Sequence, residues 1–196
     1  MTKKILIAVC SGVLLGIFLP APFEKFNSQI IHLGLCALLF FVGIDLGKSN
    51  EVFRKIKMLG ARILIVPLAI GAGSIVAGIV VGLLMGYRWN EGAAVASGFA
   101  WYSLAPILIA SHSAELSAIA FLSNVTREVF SIIFVPWIAK YIGFFEAIAP
   151  TGAAGMDTLL PIVSKETDST TAVVCFVSGV ILSFAVPILV TFFIGL

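Results

Sequence analysis

The sequence predicts an all-α fold, a polytopic transmembrane bundle of about seven spans, with residues 1–196 forming one transporter domain. Three observations point to it. Of the 196 residues 60% are hydrophobic and only 11% charged, less than half of the about 25% charge that coats a soluble domain. The mean hydropathy is +1.14. The apolar residues also fall in runs near the roughly 20 residues that cross a hydrocarbon core.

The first run, about Lys4 to Pro20, follows Lys3. It is long for a signal core and no small-x-small cleavage site follows it before Pro22 and Glu24, so it reads as a retained span. The second runs about Ile30 to Leu46 and the third about Ile63 to Gly86. A fourth, about Ala93 to Ala110, ends at the polar turn Ser111-His112-Ser113. The fifth is about Leu116 to Ala139, the sixth about Ala147 to Ser164 and the seventh about Thr171 to Ile194. The sixth is the least regular, and leaves full crossing or re-entry open.

Basic loops stay cytoplasmic. With the N-terminus inside, Lys3, Lys4, Lys48, Arg54, Lys55, Lys57, Arg62 and Lys165 lie inside, against Lys25, Arg88 and Lys140 outside. The expected protein is a multi-pass chain of the cytoplasmic (inner) membrane, its C-terminus outside. Gly12 with Gly16, and Gly78 with Gly82 and Gly86, offer small faces for helix packing or for a dimer.

Net charge is +2 with no pooled basic face, so nucleic acid is not a partner. Cys10, Cys36 and Cys175 sit in apolar runs as buried thiols, and His32 and His112 lack a second ligand at helical spacing. No metal or cofactor is expected.

Residues 98–125 align without a gap on 153–180. Leu104, Pro106, Ile107, Phe121, Ser123 and Val125 match Leu159, Pro161, Ile162, Phe176, Ser178 and Val180. Each copy has a Gly/Ala-rich stretch, a polar cluster and Leu-x-Pro-Ile, which predicts broken helices near 98–106 and 152–161. With an even number of spans between them, the two copies are expected to be parallel.

A charge at the centre of a span costs roughly 2.5–3.5 kcal/mol even on the lenient insertion scale. Arg127, Glu128 and Asp157 are therefore site candidates, with Asn124 on the face of Glu128. An ion pair of Arg127 with Glu128 or Asp157 would merely fasten helices. Two acids against one base, however, leave a surplus negative charge for a proton or a cationic substrate to neutralise. Transport is the better reading. Asp45 reads as a hydrated helix end paired with Lys48 and is a secondary candidate. Glu115 reads as structural, favouring a helix dipole. Trp101 and Tyr102 flank the break in the fourth span, where an aromatic ring can hold an ammonium group.

At these clusters the chain resembles the LysO family of bacterial and archaeal lysine exporters. The matching stretches are Phe40-Phe41-Val42-Gly43-Ile44, Ser97-Gly98-Phe99-Ala100-Trp101-Tyr102-Ser103-Leu104, Asn124-x-x-Arg127-Glu128 and Gly152-Ala153-Ala154-Gly155-Met156-Asp157-x-x-Leu160-Pro161. Ser178-Gly179-x-Ile181-Leu182-Ser183-x-x-Val186-Pro187 closes the series. Two departures are Ala100 where the family pattern has Gly, and Pro106 after a stretch that is usually Ser-Gly. Members are often about a hundred residues longer at the N-terminus, so the chain resembles their C-terminal two-thirds. It is expected to work as a homo-oligomer or with a small separate membrane subunit, or alone.

The resemblance implies export of L-lysine and analogues such as thialysine by proton exchange, Glu128 and Asp157 standing where the family's intramembrane acids stand. On this reading the two acids bind ammonium groups or the coupling proton. Helix N-termini near Gly98 and Gly152, with Arg127, hold the carboxylate. Asn124, Tyr102, Ser103 and Thr158 supply neutral hydrogen bonds. The alternatives are a passive channel or facilitator, or a membrane subunit that needs a partner. An intramembrane hydrolase is disfavoured, because Gly155-Met156-Asp157 departs from the Gly-x-Gly-Asp setting of aspartyl enzymes and His112 lies in a loop.

Overall fold

A computed structural model describes residues 60–196 and, singly, Ser11, Phe40 and Ile44, which are helical. Ser11 and Phe40 belong to the first of two units, residues 1–41; the rest belongs to the second, residues 42–196. The first two expected spans, with Asp45, Cys10, Cys36, His32, Gly12 and Gly16, lie outside the described residues.

Among the described residues all regular structure is helical. Three helices are long and apolar enough to cross a membrane: α1 (Ile65–Leu84), α4 (Ala114–Tyr141) and α6 (Ser169–Ile194). They stand where the third, fifth and seventh spans are expected. Between them lie the short helices α2 (Trp89–Ala96), α3 (Ala105–Ala110) and α5 (Leu160–Glu166), with 3₁₀ turns at Glu146–Ile148 and Gly152–Met156.

Local chemistry sets the ends. α1 stops at Gly86, whose φ of 86° is open to glycine. The N–H groups of Gly86 and Tyr87 then close back on the carbonyls of Leu83 (3.2 Å) and Gly82 (2.9 Å), a Schellman ending. Ser113 caps α4 by accepting the Leu116 N–H (3.2 Å), and Asp168 caps α6 by accepting that of Thr171 (2.7 Å). Pro106 and Pro161 occupy the first turns of α3 and α5, where a missing N–H costs nothing.

Contacts between the ends show which of them lie together. Tyr87 donates to Glu115 (2.5 Å) and His112 meets Glu91 (3.3 Å). Asn90 donates to the Phe193 carbonyl (3.2 Å), and Trp89 meets the Phe193 ring edge-on. The end of α1, the start of α2, the turn after α3, the start of α4 and the end of α6 therefore share one face, the first face. At about 1.5 Å per residue, α4 carries the chain to the opposite, second face, and α6 starts there.

It follows that the fourth expected span does not cross. α2 enters from the first face, the chain turns at Ser97–Leu104, and α3 returns to the same face. Residues 142–168 do the same from the second face, so the sixth span is also re-entrant. The two hairpins meet tip to tip, the Ala153 N–H donating to the Phe99 carbonyl (2.7 Å).

One crossing, α4, thus separates the hairpins, and this corrects the expected parallel relation. α3 and α5 begin at aligned positions, Ala105 and Leu160, as α4 and α6 do at Ala114 and Ser169. Each hairpin-plus-helix unit runs opposite to the other. The even number of intervening spans had counted a crossing that turns back.

One buried apolar cluster lies at the crossing of the tips, where Ala100, Ala154 and Leu159 pack with Ile132 and Ile162. Gly78 and Gly82 of α1 are used inside the chain. A Cβ on Gly78 would overlap Ala96, and one on Gly82 would come within 2.9 Å of the Gly92 Cα. That face packs on α2 rather than on a second copy.

Two sets of variants test this fold. Single cysteines at Glu91 and Ser111 should react with an impermeant maleimide from one side of the membrane, and cysteines at Phe144 and Asp168 from the other. Labelling of Glu91→Cys and Ser111→Cys from opposite sides would mean that the segment crosses. The second set concerns backbone strain. Phe99 and Ala100 have φ of 45° and 73°, a region that costs a non-glycine residue about 1–2 kcal/mol. Ala100→Gly should raise unfolding stability by about 1 kcal/mol. Gly152→Ala should do the reverse, and by more, because Gly152 has φ 58° and its Cβ would overlap the Phe99 carbonyl. Thermal unfolding in detergent reads both.

Candidate functional site

α4 carries the motif Asn124-x-x-Arg127-Glu128 past both hairpin tips. Neighbouring helix positions point about 100° apart, so Arg127 and Glu128 diverge, and each of the three side chains has its own partners. Asn124 is buried and serves the first hairpin. Its Oδ1 accepts the Ala100 N–H (2.7 Å) and its Nδ2 donates to the Ala120 carbonyl (2.7 Å). This amide satisfies the backbone where the strained Phe99-Ala100 pair ends helical bonding.

Arg127 serves the second hairpin. Its Nε donates to the Pro150 carbonyl (3.0 Å), one terminal nitrogen to the Ala149 carbonyl (3.2 Å) and the other to Ser74 Oγ on α1 (2.9 Å). Ser131 adds its hydroxyl to Pro150 (2.9 Å). No carboxylate partners Arg127 among the described residues, so the fastening ion pair with Glu128 or Asp157 is not formed.

Glu128 turns to the other side of α4, where its carboxyl group interacts with Thr158 and feels the charge of Asp157. Asp157 and Thr158 stand at the tip of the second hairpin. The Thr158 N–H and hydroxyl both donate to Asp157 Oδ1, at 2.5 and 3.3 Å. Tyr102, from the first hairpin, feels both acids and packs edge-on against Phe121 of α4 (6.3 Å between centroids). Glu128, Asp157 and Thr158 are half-buried and Tyr102 is open to its surroundings. The result is a cluster of two carboxyl groups, a phenol and a hydroxyl where α4 passes the hairpin tips.

The other candidates fall around it. Trp101 is half-buried, its backbone N–H donating to the Gly98 carbonyl (2.7 Å), and Ser103 is exposed. Gly98 and Gly152 are both points of close approach, by the Asn124 side chain at the first and by backbone at the second. A Cβ on Gly98 would overlap Asn124, and one on Gly152 the Phe99 carbonyl. Gly98 follows the carboxyl end of α2, which presents carbonyls and not N–H groups, and Gly152 opens a 3₁₀ turn. The expected N-terminal cradle for a carboxylate is therefore not built at Gly98. Cys175 is buried, its thiol against Thr151 and the Gly155 carbonyl.

Sequence reasoning places Ser131 on the face of Arg127, four residues on, but missed Ser74 and the carbonyls of Ala149 and Pro150. A backbone carbonyl leaves no mark in a sequence, and Ser74 lies far along the chain. It also missed the polar group on the first face, though Glu115 and His112 were visible as residues.

A cavity of about 420 Å³ lies on the Arg127 side, between α1, α2 and α4. It runs from Met85 and Tyr87 on the first face to Ser74, Asn124 and Arg127 at depth.

At the first face, the Arg88 N–H (2.8 Å) and His112 hold the Glu91 carboxyl below the usual carboxylate range. The hydrogen bond to Glu115 pushes the Tyr87 hydroxyl above its ordinary value. A lowered acid stabilises the fold above its unfolded pKa and stops doing so as pH falls through its folded one. A raised tyrosine stabilises below its unfolded pKa and stops as pH rises through its folded one. The contacts should thus hold between about pH 5 and 9. Amide exchange at residues 87–91 should quicken on either side, after correction for intrinsic rates. Glu91→Gln should remove the acid limb and Tyr87→Phe the alkaline one.

Comparison with known proteins gives the chain its relatives. It is 30% identical over 189 residues to the Lysine exporter LysO of Escherichia coli (strain K12), an alignment covering 94% of this chain and 62% of that protein. It is 27% identical over 192 residues to a Haemophilus influenzae protein named "Putative lysine exporter", covering 97% of both. The chain thus spans about 62% of the length of the first relative and 97% of the second. No solved structure matches it. Residues 6–194 match the pattern of the family described as Lysine exporter LysO, and the chain belongs to that family.

Proposed function

We propose that this chain exports L-lysine, and analogues such as thialysine, through the cytoplasmic membrane in exchange for protons. The observation that carries the reading is the pairing of Glu128 with Asp157 at the hairpin tips, with no cation beside them among the described residues. Lysine brings two ammonium groups, and the relatives named as lysine exporters support it as the cargo. Glu128 and Asp157 take an ammonium group or a proton in turn. Thr158 and Tyr102 supply the neutral hydrogen bonds, and Asn124 and Arg127 hold the two tips in register.

Orientation follows from the basic residues. Lys140 ends α4 and Lys165 lies in α5, both toward the second face, and the run Arg54-Lys55-x-Lys57…Arg62 directly precedes α1, which starts there. The first face has Arg88. The second face is then cytoplasmic, and Lys140 moves from the outside set to the inside one. The re-entrant hairpins make the charge asymmetry stronger, and the C-terminus stays outside.

Counterflow of labelled lysine in proteoliposomes, with and without an imposed pH gradient, tests the proposal. Wild type should exchange lysine and respond to the gradient. Glu128→Gln and Asp157→Asn should each insert normally and lose gradient-driven exchange to background, a loss of at least about a hundredfold for groups that take part directly. Full coupled export by Glu128→Gln would sink the mechanism. Lysine flux indifferent to the gradient would reduce the protein to a facilitator.

A further inference from the structure

The cavity between α1, α2 and α4 is not part of the acid cluster. Arg127 and Glu128 leave α4 in different directions, and Glu128 and Asp157 do not line the cavity. Its walls are mostly apolar, with Ala77, Val81, Val95 and Ile119 among them, and among the described residues Arg127 is the only charged one lining it. That guanidinium bonds three neutral oxygens, and a guanidinium has five N–H groups to give. Two therefore remain. A cation held at bilayer depth among neutral acceptors is costly unless an anion joins it. Ser123 also lines the cavity, on the helical turn before Arg127.

We propose that this cavity is a second, exit-side binding site for the exported amino acid, with Arg127 receiving its carboxylate. The proposal rests on the export reading for the identity of the cargo and not for the chemistry of the cavity. At about 420 Å³ it falls within the roughly 300–1,000 Å³ of ordinary ligand pockets. That is far more than a halide fills, and the apolar walls suit an aliphatic chain. The mouth at the first face holds Tyr87, bonded to Glu115, so an outward-pointing ammonium group meets a carboxylate there. The two sites divide the ligand's chemistry: the acid cluster recognises positive charge and the cavity requires the negative one.

The test is binding to the purified full chain carrying Glu128→Gln and Asp157→Asn, which leaves the cavity as the binding site. The probes are L-lysine and 1,5-diaminopentane, which is lysine without its carboxylate. Lysine should bind better than the diamine. Adding Arg127→Gln should cut that preference by about tenfold to a hundredfold, the value of a hydrogen bond to a charged group. Because Arg127 also holds the second hairpin, Ala77→Phe provides an independent variant. It fills the cavity, leaves the three Arg127 bonds in place, and should weaken lysine binding with unfolding temperature unchanged. Equal affinities for lysine and diamine, an equal loss of both on Arg127→Gln, or unaltered lysine binding in Ala77→Phe would overturn the proposal. So would chloride competing for Arg127 with no dependence on the amino-acid carboxylate, which would identify a site for a free anion. If other amino acids bind in an Arg127-dependent way and lysine does not, the cavity assignment stands and the lysine reading fails.

Discussion

A helix that stops in the middle of a bilayer leaves carbonyl and N–H groups where there is no water to take them. Two such stops, one from each face, define this fold, and most of its polar chemistry serves them. The tips bond each other through Phe99 and Ala153. The amide of Asn124 takes the Ala100 N–H, and the guanidinium of Arg127 with the hydroxyl of Ser131 takes the carbonyls of Ala149 and Pro150. Glycine is required at Gly98, where the Asn124 amide fills the space of a side chain, and at Gly152, where the backbone of Phe99 does. Without these partners neither tip could remain at that depth, since each unsatisfied group costs several kcal/mol in hydrocarbon.

α4 is the element that makes the arrangement asymmetric. Its motif places one side chain on each hairpin and the third between them. Because Arg127 and Glu128 are adjacent, their charges are separated by the helix itself, and each meets a different environment. Arg127 lies against carbonyl oxygens and the cavity, while Glu128 lies against Asp157, Thr158 and Tyr102. An ion pair between them would have cancelled both charges and left only a structural bridge. Keeping them apart leaves a cation and an acid in separate surroundings within one short stretch of helix.

The breaks were legible in the sequence because their causes are local. Gly98 and Gly152 precede Leu-x-Pro-Ile, and proline at the second position of α3 and α5 marks a helix start. The intramembrane charges were legible because hydropathy makes them anomalous. Direction was not. A stretch such as 89–110 has the same composition whether it crosses or turns back, and Tyr87–Glu115 and His112–Glu91, which reveal the turn, join residues on different elements. The role of Arg127 was hidden for a related reason: two of its three partners are backbone carbonyls, which every residue possesses. Glu128 and Asp157 lie on different elements, and only the meeting of α4 with the second hairpin's tip brings them together.

That meeting has a mechanical consequence for the export reading. Glu128 belongs to a continuous helix and Asp157 to the tip of a hairpin, so their spacing depends on where the tip sits. Two ionised carboxylates in a low-dielectric site repel one another, whereas a shared proton or a bridging ammonium group draws them together. The occupancy of the pair and the position of the second hairpin are therefore linked, each biasing the other by the same free energy. The first hairpin has no acid at the matching position, since Tyr102 aligns with Asp157. It is also tied at its own face by Tyr87–Glu115 and His112–Glu91, while no equivalent pair among the described residues ties the second. The second hairpin is thus the one that bears charge, and a change of occupancy acts on its tip. On the orientation proposed from Lys140 and Lys165, that hairpin opens toward the cytoplasm, the side from which export would load.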